Sequence, residues 1–225
     1  MINYLKLVPL FSSLNDEELD AINRQSFIKK YPKNNIILVE NEKGDTLYVI
    51  VKGKVKVTKF SESGEEIILA ILHKGDFFGD MSLLDGKPRS ATVVSNEDSE
   101  LILIRRNDFE NVIEKNPRIA LKLLKEITTR LRNADEFIGN LVFLKVTGRI
   151  AGILLQLSKE RGIKTDDGLL IKSRPSHQEL ASMVGATRET VTRVLKQLEN
   201  SKYISMTGKD ITIHDIDIFR QNLYL

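Results

Sequence analysis

A segment rich in glycine and polar residues, 77–93, carries groups that could bind a phosphate ester. Gly79 and Asp80 precede a short predicted helix, so the unpaired backbone N–H groups of its first turn face the region around Gly79. A glycine permits close approach of a ligand, and Arg89, ten residues later, supplies a cation. Ser90 adds a hydroxyl, whereas the carboxylate of Asp80 would repel a phosphate and suits a sugar hydroxyl instead. The same residues also fit a surface turn with an incidental arginine, and chemistry alone leaves both interpretations open.

A second segment, 176–200, has the residue pattern of a helix–turn–helix. Ala181 is small enough for two helices to cross closely, Gly185 suits the turn four residues later, and Val191 with Val194 would bury the second helix. The opposite face of that helix carries side chains that suit base edges in a major groove, because arginine pairs with guanine and glutamate accepts a hydrogen bond from cytosine. These side chains are Arg188, Glu189, Thr192 and Arg193. The alternative is a charged face that is only solvated; the combined pattern favours DNA recognition.

The first segment resembles the phosphate-binding cassette of cyclic-nucleotide-binding domains in its sequences FGDMSLL (78–84) and PRSATV (88–93). The resemblance implies a β-roll, which is a double-stranded jelly roll flanked by helices. It also implies that Arg89 and Ser90 hold a cyclic phosphate and that Asp80 binds the ribose 2′-hydroxyl. The cAMP-binding members have glutamate at the position of Asp80, and some relatives with aspartate respond to other ligands. The ligand-binding candidates in this cassette are Gly79, Asp80, Met81, Arg89, Ser90 and Ala91.

Nearly the whole chain resembles the CRP/FNR regulators, and most closely their cAMP receptor protein (catabolite activator) branch. The resemblance is strongest in GNLVFLKVTGRIA (139–151) and TRETVTRVL (187–195). It implies that residues on the second helix read a TGTGA-like half-site, that a hairpin at Gly208 forms a wing, and that His177 replaces a DNA-contacting arginine. The DNA-binding candidates are His177, Gln178, Thr187, Arg188, Glu189, Thr192, Arg193 and Lys209.

A long helix must connect these two segments, and its apolar residues repeat every 3.5 positions. They are Ala120, Leu124, Ile127, Leu131, Ala134, Ile138 and Leu141. Such a heptad pattern predicts a seam between two helices, and hence a homodimer through residues 120–141; a helix packed on its own domain is the alternative. In cAMP-binding relatives this helix supplies a threonine and a serine to the adenine. Their counterparts, Ala134 and Asp135, do not reproduce the two hydroxyls, so the base half of the pocket departs from the cAMP pattern.

The elements around these segments predict a fold of the α+β class. Short strands rich in valine, isoleucine and leucine are separated by glycine-containing turns; they are predicted at 27–31, 35–40, 46–51, 54–60, 66–72, 90–95 and 100–104. Helices are predicted after Asn15, Asn107 and Pro117, and the two asparagines are each followed three residues later by a glutamate that completes a capping box. Further on we expect a helix (146–159), a polar loop (160–167), a strand (169–171), the two helices and a hairpin (203–213). The predicted domains are a β-roll (1–116), a dimerisation helix (117–145) and a winged helix–turn–helix (146–225).

Composition limits the function classes. The 225-residue chain contains no cysteine, which removes disulfides, thiolate metal sites and cysteine nucleophiles, and its three histidines lack metal-binding spacing. No signal peptide and no bilayer-spanning run is evident, so a cytoplasmic location without membrane contact is expected. Residues 1–145 hold 22 basic and 22 acidic residues, whereas 146–225 hold 12 basic and 9 acidic, so the net charge of +3 lies entirely in the C-terminal part. An anionic partner for that part is consistent with this distribution.

The sequence therefore predicts a homodimeric transcription regulator that binds near-palindromic double-stranded DNA. A cyclic nucleotide, with cAMP preferred, is expected to control it as an allosteric ligand, with no other cofactor, and an activator would also contact RNA polymerase. Alternatives are another ligand such as cyclic di-GMP, activity without ligand, and a cyclic-nucleotide regulatory subunit that acts on a protein partner. A haem sensor using His73 has thin support, and no nucleophile–base pair indicates an enzyme.

Overall fold

The computed structural model describes residues 2–6 and 8–223, with side chains from residue 4 onward. Contacts within the chain divide it into two compact units, Met1–Leu131 and Arg132–Leu225. The division falls inside a long helix, so the predicted boundaries at residues 117 and 146 stay a prediction. No helix in the described part of the chain is long and apolar enough to cross a membrane.

The first unit opens with short helical elements that lead into the sheet. They are α1 (Ile2–Leu5), a 3-10 turn (Pro9–Phe11) and α2 (Asp16–Gln25). The predicted capping box is present at α2, because Asn15 Oδ1 accepts from the Glu18 N–H at 2.9 Å and a Glu18 carboxylate oxygen accepts from the Asn15 N–H at 2.8 Å. This reciprocal pair begins α2 where the sequence predicted a helix.

Eight strands form two antiparallel four-stranded sheets that face each other as a β-roll. They are β1 (Phe27–Tyr31), β2 (Ile36–Leu38), β3 (Thr46–Lys52), β4 (Val55–Phe60), β5 (Glu66–Leu72), β6 (Phe77–Phe78), β7 (Thr92–Ser95) and β8 (Ser99–Arg105). The strand orders are β1-β8-β3-β6 and β2-β7-β4-β5. The seven predicted strands are present, β1 and β5 with the predicted bounds and the others with ends shifted by one or two residues. Strand β6 was not predicted, because a two-residue strand shows no alternation. Leu47, Val49 and Ile102 from β3 and β8 are fully buried in the core.

Two helices of the first unit lie beside the segments that could bind a ligand. Helix α3 (Asp80–Asp85) follows β6, and α4 (Arg106–Lys115) follows β8. The predicted cap at Asn107 is wrong, because α4 begins directly where β8 ends. Arg105 occupies the cap position with extended backbone and no side-chain cap, so Asn107 lies inside the first turn.

The connecting helix α5 (Arg118–Phe143) is 26 residues long and begins immediately after Pro117. Ile119 and Leu123 are buried against the β-roll core, and Ile127 packs against the same core. Other large apolar side chains of α5 remain exposed: Leu121, Leu124, Leu131, Ile138, Val142 and Phe143. The apolar surface of α5 therefore has two parts, one covered by its own unit and one that has no cover within a single chain.

The second unit packs helices against a small antiparallel sheet. Its elements are α6 (Val146–Arg161), β9 (Gly162–Thr165), β10 (Gly168–Ile171), α7 (His177–Val184), α8 (Arg188–Asn200), β11 (Ile204–Thr207), β12 (Asp210–Ile213) and α9 (Ile216–Leu223). The strand order is β11-β12-β10-β9. The predicted polar loop 160–167 is wrong, because α6 continues to Arg161 and residues Gly162–Thr165 pair with β10 as an edge strand. An edge strand is solvated on one side, so its polar sequence resembles that of a loop. Helix α9 was not predicted; its Phe219 completes the core.

Candidate functional site

Arg89, the predicted phosphate-binding cation, lies inside the β-roll with only 5% of its surface exposed. Its guanidinium donates to the carbonyl oxygens of Gly79 at 2.9 Å and Thr46 at 3.0 Å, and it lies over the Tyr48 ring. Among the described residues it forms no ion pair with a carboxylate. Burial lowers the pKa of the Arg89 guanidinium from its ordinary value, while Tyr48 and Asp45 partly offset this effect. An arginine nevertheless stays protonated in proteins, so the site holds a buried positive charge.

Two glycines provide the space for this guanidinium. Gly79 has a φ of +83°, and a Cβ there would lie 2.8 Å from Arg89 Nη1 and 2.8 Å from the Thr46 carbonyl oxygen. A Cβ at Gly44 would overlap the Arg89 guanidinium. Gly79 belongs to the predicted site; Gly44 and Thr46 do not, because nothing in their local sequence indicates that β3 and its preceding turn lie against Arg89.

Asp80, the predicted partner of a sugar hydroxyl, is engaged by a residue of α5. Its side chain is 5% exposed, and Oδ1 accepts from Arg130 Nη1 at 3.1 Å. Arg130 also donates to the Phe77 carbonyl oxygen at 2.7 Å and stacks over the Phe77 ring at 4.6 Å. Arg130 was not among the residues predicted for this site, since fifty residues separate it from Asp80. A ligand hydroxyl at Asp80 would have to share the carboxylate with this guanidinium.

The remaining ligand-binding candidates differ in their placement. Ser90 and Met81 are exposed side by side, with the Ser90 hydroxyl donating to Met81 Sδ at 3.3 Å, and Ala91 is buried. The structure therefore brings Gly79, Asp80, Met81, Arg89, Ser90 and Ala91 into one cassette. Ala134 and Asp135 are exposed on α5 and belong to the second unit. Their contribution to ligand binding stays a prediction.

Arg106 binds the short helix α3 of the cassette, a role that its local sequence does not indicate. Its guanidinium donates to the carbonyl oxygens of Ser82 at 2.7 Å and of Leu83, in the middle of α3. The Ser82 carbonyl oxygen also accepts from the Gly86 N–H at 3.1 Å, so Arg106 adds a second, charged donor close to the C-terminus of this short helix, where a cation is favourable. Arg106 thereby couples the start of α4 to the short helix that follows Gly79.

The helix–turn–helix has the geometry that its residues predicted. Ser176 and Glu179 form a capping box at the start of α7, Gly185 adopts a φ of +62° at its end, and the Thr187 hydroxyl accepts from the Thr190 N–H at 3.2 Å to cap α8. Three apolar residues predicted to pack the two helices together are buried: Ala181, Val191 and Val194. The left-handed conformation at this turn favours glycine, because a Cβ strains the backbone there.

The predicted DNA-contacting side chains lie on the surface of this unit. Arg188, Glu189, Thr192 and Arg193 are exposed on α8, Gln178 is exposed on α7, and Lys209 is exposed beside Gly208 in the β11–β12 turn. The Arg174 N–H donates to the Lys209 carbonyl oxygen at 2.8 Å, which ties the predicted wing to the segment before α7. The hairpin that carries Lys209 is thus fixed to the segment that leads into the helix–turn–helix.

His177 is bonded within the protein at both ring nitrogens. Its Nε2 lies 3.2 Å from Arg174 Nη2, and its Nδ1 lies 2.8 Å from the Thr192 hydroxyl. The hydroxyl of Thr192 in turn donates to the Arg188 carbonyl oxygen at 2.9 Å. The sequence predicts His177 as a DNA contact, but its local pattern indicates neither the bond to Arg174 nor the link through Thr192 to α8.

The pKa of His177 is lowered from its ordinary value of 6.5, mainly by burial and also by Arg174 and Arg188. The folded chain therefore disfavours the proton that the unfolded chain binds, so His177 reduces stability progressively as the pH falls below 6.5 toward its folded pKa. We expect the melting temperature of the full chain to fall less between pH 7 and pH 5 in His177→Gln than in wild type. His73→Gln, at an exposed histidine of the first unit, is the control. An equal fall of the melting temperature in all three proteins would contradict the prediction.

Arg149 joins the end of α5 to the turn of the helix–turn–helix within the second unit. Its guanidinium donates to the Leu144 carbonyl oxygen at 2.9 Å and to the Val184 carbonyl oxygen at 2.8 Å. These carbonyls follow the end of α5 and close α7, so one side chain binds both helix ends. A displacement of the α5 end would act directly on the turn before α8.

Comparisons with known proteins agree with these two sites. Residues 28–116 match the model of the cyclic nucleotide-binding domain, and residues 148–221 match that of the Crp-like helix-turn-helix domain. The cAMP-activated global transcriptional regulator CRP of Salmonella typhimurium is 41% identical over 201 residues, covering 88% of this chain and 95% of that protein.

Solved structures show the same architecture. The c-di-GMP responsive global regulator CLP of Xanthomonas campestris aligns with a TM-score of 0.79 and 26% identity, covering 89% of this chain and 100% of that one. A CooA mutant of Carboxydothermus hydrogenoformans aligns with a TM-score of 0.81 over 94% of both chains; at 23% identity it supports the fold alone. Together with the identity to CRP, these findings place the chain in the CRP/FNR family, as a DNA-binding transcription regulator with a cyclic nucleotide-binding domain.

Proposed function

We propose that this chain is a cytoplasmic, homodimeric regulator in which cAMP, bound in the β-roll, controls binding to a near-palindromic operator. The observation that carries the ligand half is the buried guanidinium of Arg89, which has carbonyl partners and no carboxylate. A buried charge is costly unless an opposite charge balances it. A cyclic phosphate supplies a singly charged anion with two exocyclic oxygens, which suits a guanidinium.

The exposed face of α5 supports the dimer. Leu124, Leu131 and Ile138 are 58%, 60% and 58% exposed and recur every seven residues. A helix face with this spacing packs against an identical face in a left-handed coiled coil. Ile127, which the heptad pattern placed in the seam, packs on its own β-roll instead, so the proposed seam follows the exposed residues.

Helix α5 also supports coupling between ligand and DNA. Arg130 on α5 holds Asp80 in the cassette, and a ligand hydroxyl at Asp80 would compete for that carboxylate. The same helix ends at the carbonyls that Arg149 binds beside the helix–turn–helix. A ligand that favours one position of α5 would therefore change the placement of α8, which is an allosteric coupling between two sites.

A second ligand, cyclic di-GMP, has specific support. Ala134 and Asp135 lack the two hydroxyls that the cAMP-binding pattern requires, and Asp80 is shorter than the usual glutamate. The CLP protein of Xanthomonas campestris, described as c-di-GMP responsive, shares the fold at 26% identity. Cyclic di-GMP also carries phosphates that Arg89 could bind, so the phosphate half alone does not discriminate between the two ligands.

Fluorescence anisotropy with a labelled duplex carrying two TGTGA-like half-sites tests the proposal. We expect cAMP to strengthen binding of the wild type, with cGMP, cyclic di-GMP and no nucleotide measured in parallel. Arg188→Ala and Glu189→Ala should each cost about 1–3 kcal/mol, because each loses a base contact. Gln156→Ala, at an exposed position of α6 outside the helix–turn–helix, is the control.

The outcomes separate the parts of this proposal. If cyclic di-GMP strengthens binding to the duplex and cAMP does not, cyclic di-GMP is the ligand. Tight binding to the duplex without any nucleotide would indicate a constitutively active regulator. Unchanged affinity of both the Arg188 and the Glu189 variant would contradict the assigned base contacts. Absence of DNA binding under every condition would favour a regulatory subunit that acts on a protein partner.

A further inference from the structure

A directed chain of hydrogen bonds runs from Arg174 to the recognition helix. Since a guanidinium only donates, the Nε2 of His177, 3.2 Å from Arg174 Nη2, must accept. The neutral ring then carries its proton on Nδ1 and donates it to the hydroxyl of Thr192 at 2.8 Å. The Thr192 hydroxyl completes the chain by donating to the Arg188 carbonyl oxygen at 2.9 Å.

This chain of bonds uses the one proton of the Thr192 hydroxyl. A hydroxyl has one proton to donate, and in Thr192 that proton is bonded to the Arg188 carbonyl oxygen. Thr192 therefore cannot donate to guanine O6 or N7, adenine N7 or thymine O4. One of its two lone pairs accepts from His177, so one acceptor lone pair and the methyl group remain for a DNA contact. The bonds also fix χ1, which for a helical threonine otherwise divides between two rotamers.

The position of Thr192 puts this methyl among the base-reading side chains. Thr192 lies on α8 between Arg188 and Arg193, and all three are exposed. In a major groove, the apolar feature that distinguishes one base is the C5-methyl group of thymine, which threonine methyl groups contact.

We propose that Thr192 selects a thymine in each half-site through methyl–methyl contact, and that His177 is a positioning residue that holds Thr192 for this purpose. This inference rests on the proposed function, since it requires α8 to enter the major groove. It also changes the role expected for His177, because both of its ring nitrogens are engaged inside the protein and neither is free for a phosphate or a base.

The test removes the methyl group from the DNA rather than from the protein. Wild-type protein first enriches its preferred duplex from a randomised library, in the nucleotide condition that gives the strongest binding. Each thymine of the enriched half-site is then replaced in turn by deoxyuridine, which differs only in lacking the C5-methyl group. We expect one symmetric position at which replacement weakens wild-type binding about fourfold per half-site, the worth of one buried methyl group.

Matched variants assign that preference to Thr192 and to His177. Thr192→Val keeps the methyl group and should retain the preference for thymine over uracil. Thr192→Ser keeps the hydroxyl, loses the methyl group and should bind both duplexes equally. His177→Ala should reduce the preference in the Thr192 protein but not in Thr192→Val, because valine has no hydroxyl for the histidine to hold. If His177 only stabilises the fold, His177→Ala would lower the affinity for the thymine duplex and the uracil duplex equally, with either threonine or valine at position 192.

Contrary results are equally specific. If no thymine of the enriched duplex is sensitive to loss of its methyl group, or if Thr192→Ser keeps the full preference, the methyl contact is wrong. If Thr192→Val loses the preference, the hydroxyl makes the contact and the inference also fails. A wild-type protein that enriches no duplex at all overturns the proposed function itself, whereas normal enrichment without a methyl effect overturns this inference alone.

Discussion

Arg89→Gln is expected to weaken cyclic-nucleotide binding by about 2–5 kcal/mol, or roughly 30- to 5,000-fold, because the ligand phosphate would lose its buried cationic partner. Glutamine retains a hydrogen-bond donor for the Gly79 or Thr46 carbonyl oxygen but carries no charge. Isothermal titration calorimetry with cAMP and with cyclic di-GMP, on wild type and variant, measures the loss for whichever nucleotide binds.

The control for this loss is Lys87→Ala, an exposed cation two residues away, which should leave affinity nearly unchanged. The Arg89 variant should remain folded, since it loses two charge-assisted hydrogen bonds worth about 1–3 kcal/mol each and also removes a buried charge that has no ion-pair partner among the described residues. A folded Arg89→Gln protein that binds nucleotide as well as the wild type would show that the phosphate lies elsewhere.

Leu131→Glu is expected to dissociate the proposed dimer and thereby to abolish operator binding. Leu131 is 60% exposed in a single chain, and burying a leucine contributes about 1.5–3 kcal/mol. Each dimer buries two copies, so the substitution removes about 3–6 kcal/mol of association free energy before the repulsion of two carboxylates is counted. Sedimentation analysis over a concentration series measures the shift from dimer to monomer.

Asn133→Glu is the matched control, because it adds the same charge to an exposed position of α5 on the opposite side of the helix from Leu131. It should sediment as the wild type does and bind the same operator. If Leu131→Glu also remains a dimer at every concentration, another surface joins the subunits and the proposed seam is wrong.

The local elements of both units could be predicted because their signals are short-range. The capping boxes at Asn15 and Ser176 and the turn at Gly185 depend on residues three or four positions apart, and all are present in the structure. Hydrophobic alternation located the strands of the β-roll, since one side of each sheet must face the core. The weak or misleading signals were also local: β6 is too short to alternate, and β9 is an edge strand with a polar sequence.

The heptad pattern of α5 predicted a long helix, but its residues are apolar for two different reasons. Ile119, Leu123 and Ile127 face the β-roll, whereas Leu124 and Leu131 face outward, and a sequence repeat does not say which apolar residue is covered by which neighbour. Only the tertiary structure separates the part of the helix that stabilises its own unit from the part available to a second chain.

The segment 77–93 shows the same distinction between local sequence signals and tertiary contacts. The sequence by itself determined the residue types that could bind an anion, namely a glycine and an arginine ten positions apart, and the turn and helices of the DNA-binding domain. The tertiary structure decided which partners these side chains bind. Arg89 binds the carbonyl oxygens of Thr46 and Gly79, Asp80 binds Arg130, and Thr192 binds His177. The physical reason is range. Propensity, capping and periodicity act over a few residues, whereas an ion pair or a hydrogen bond between distant segments exists only after the chain has packed them together.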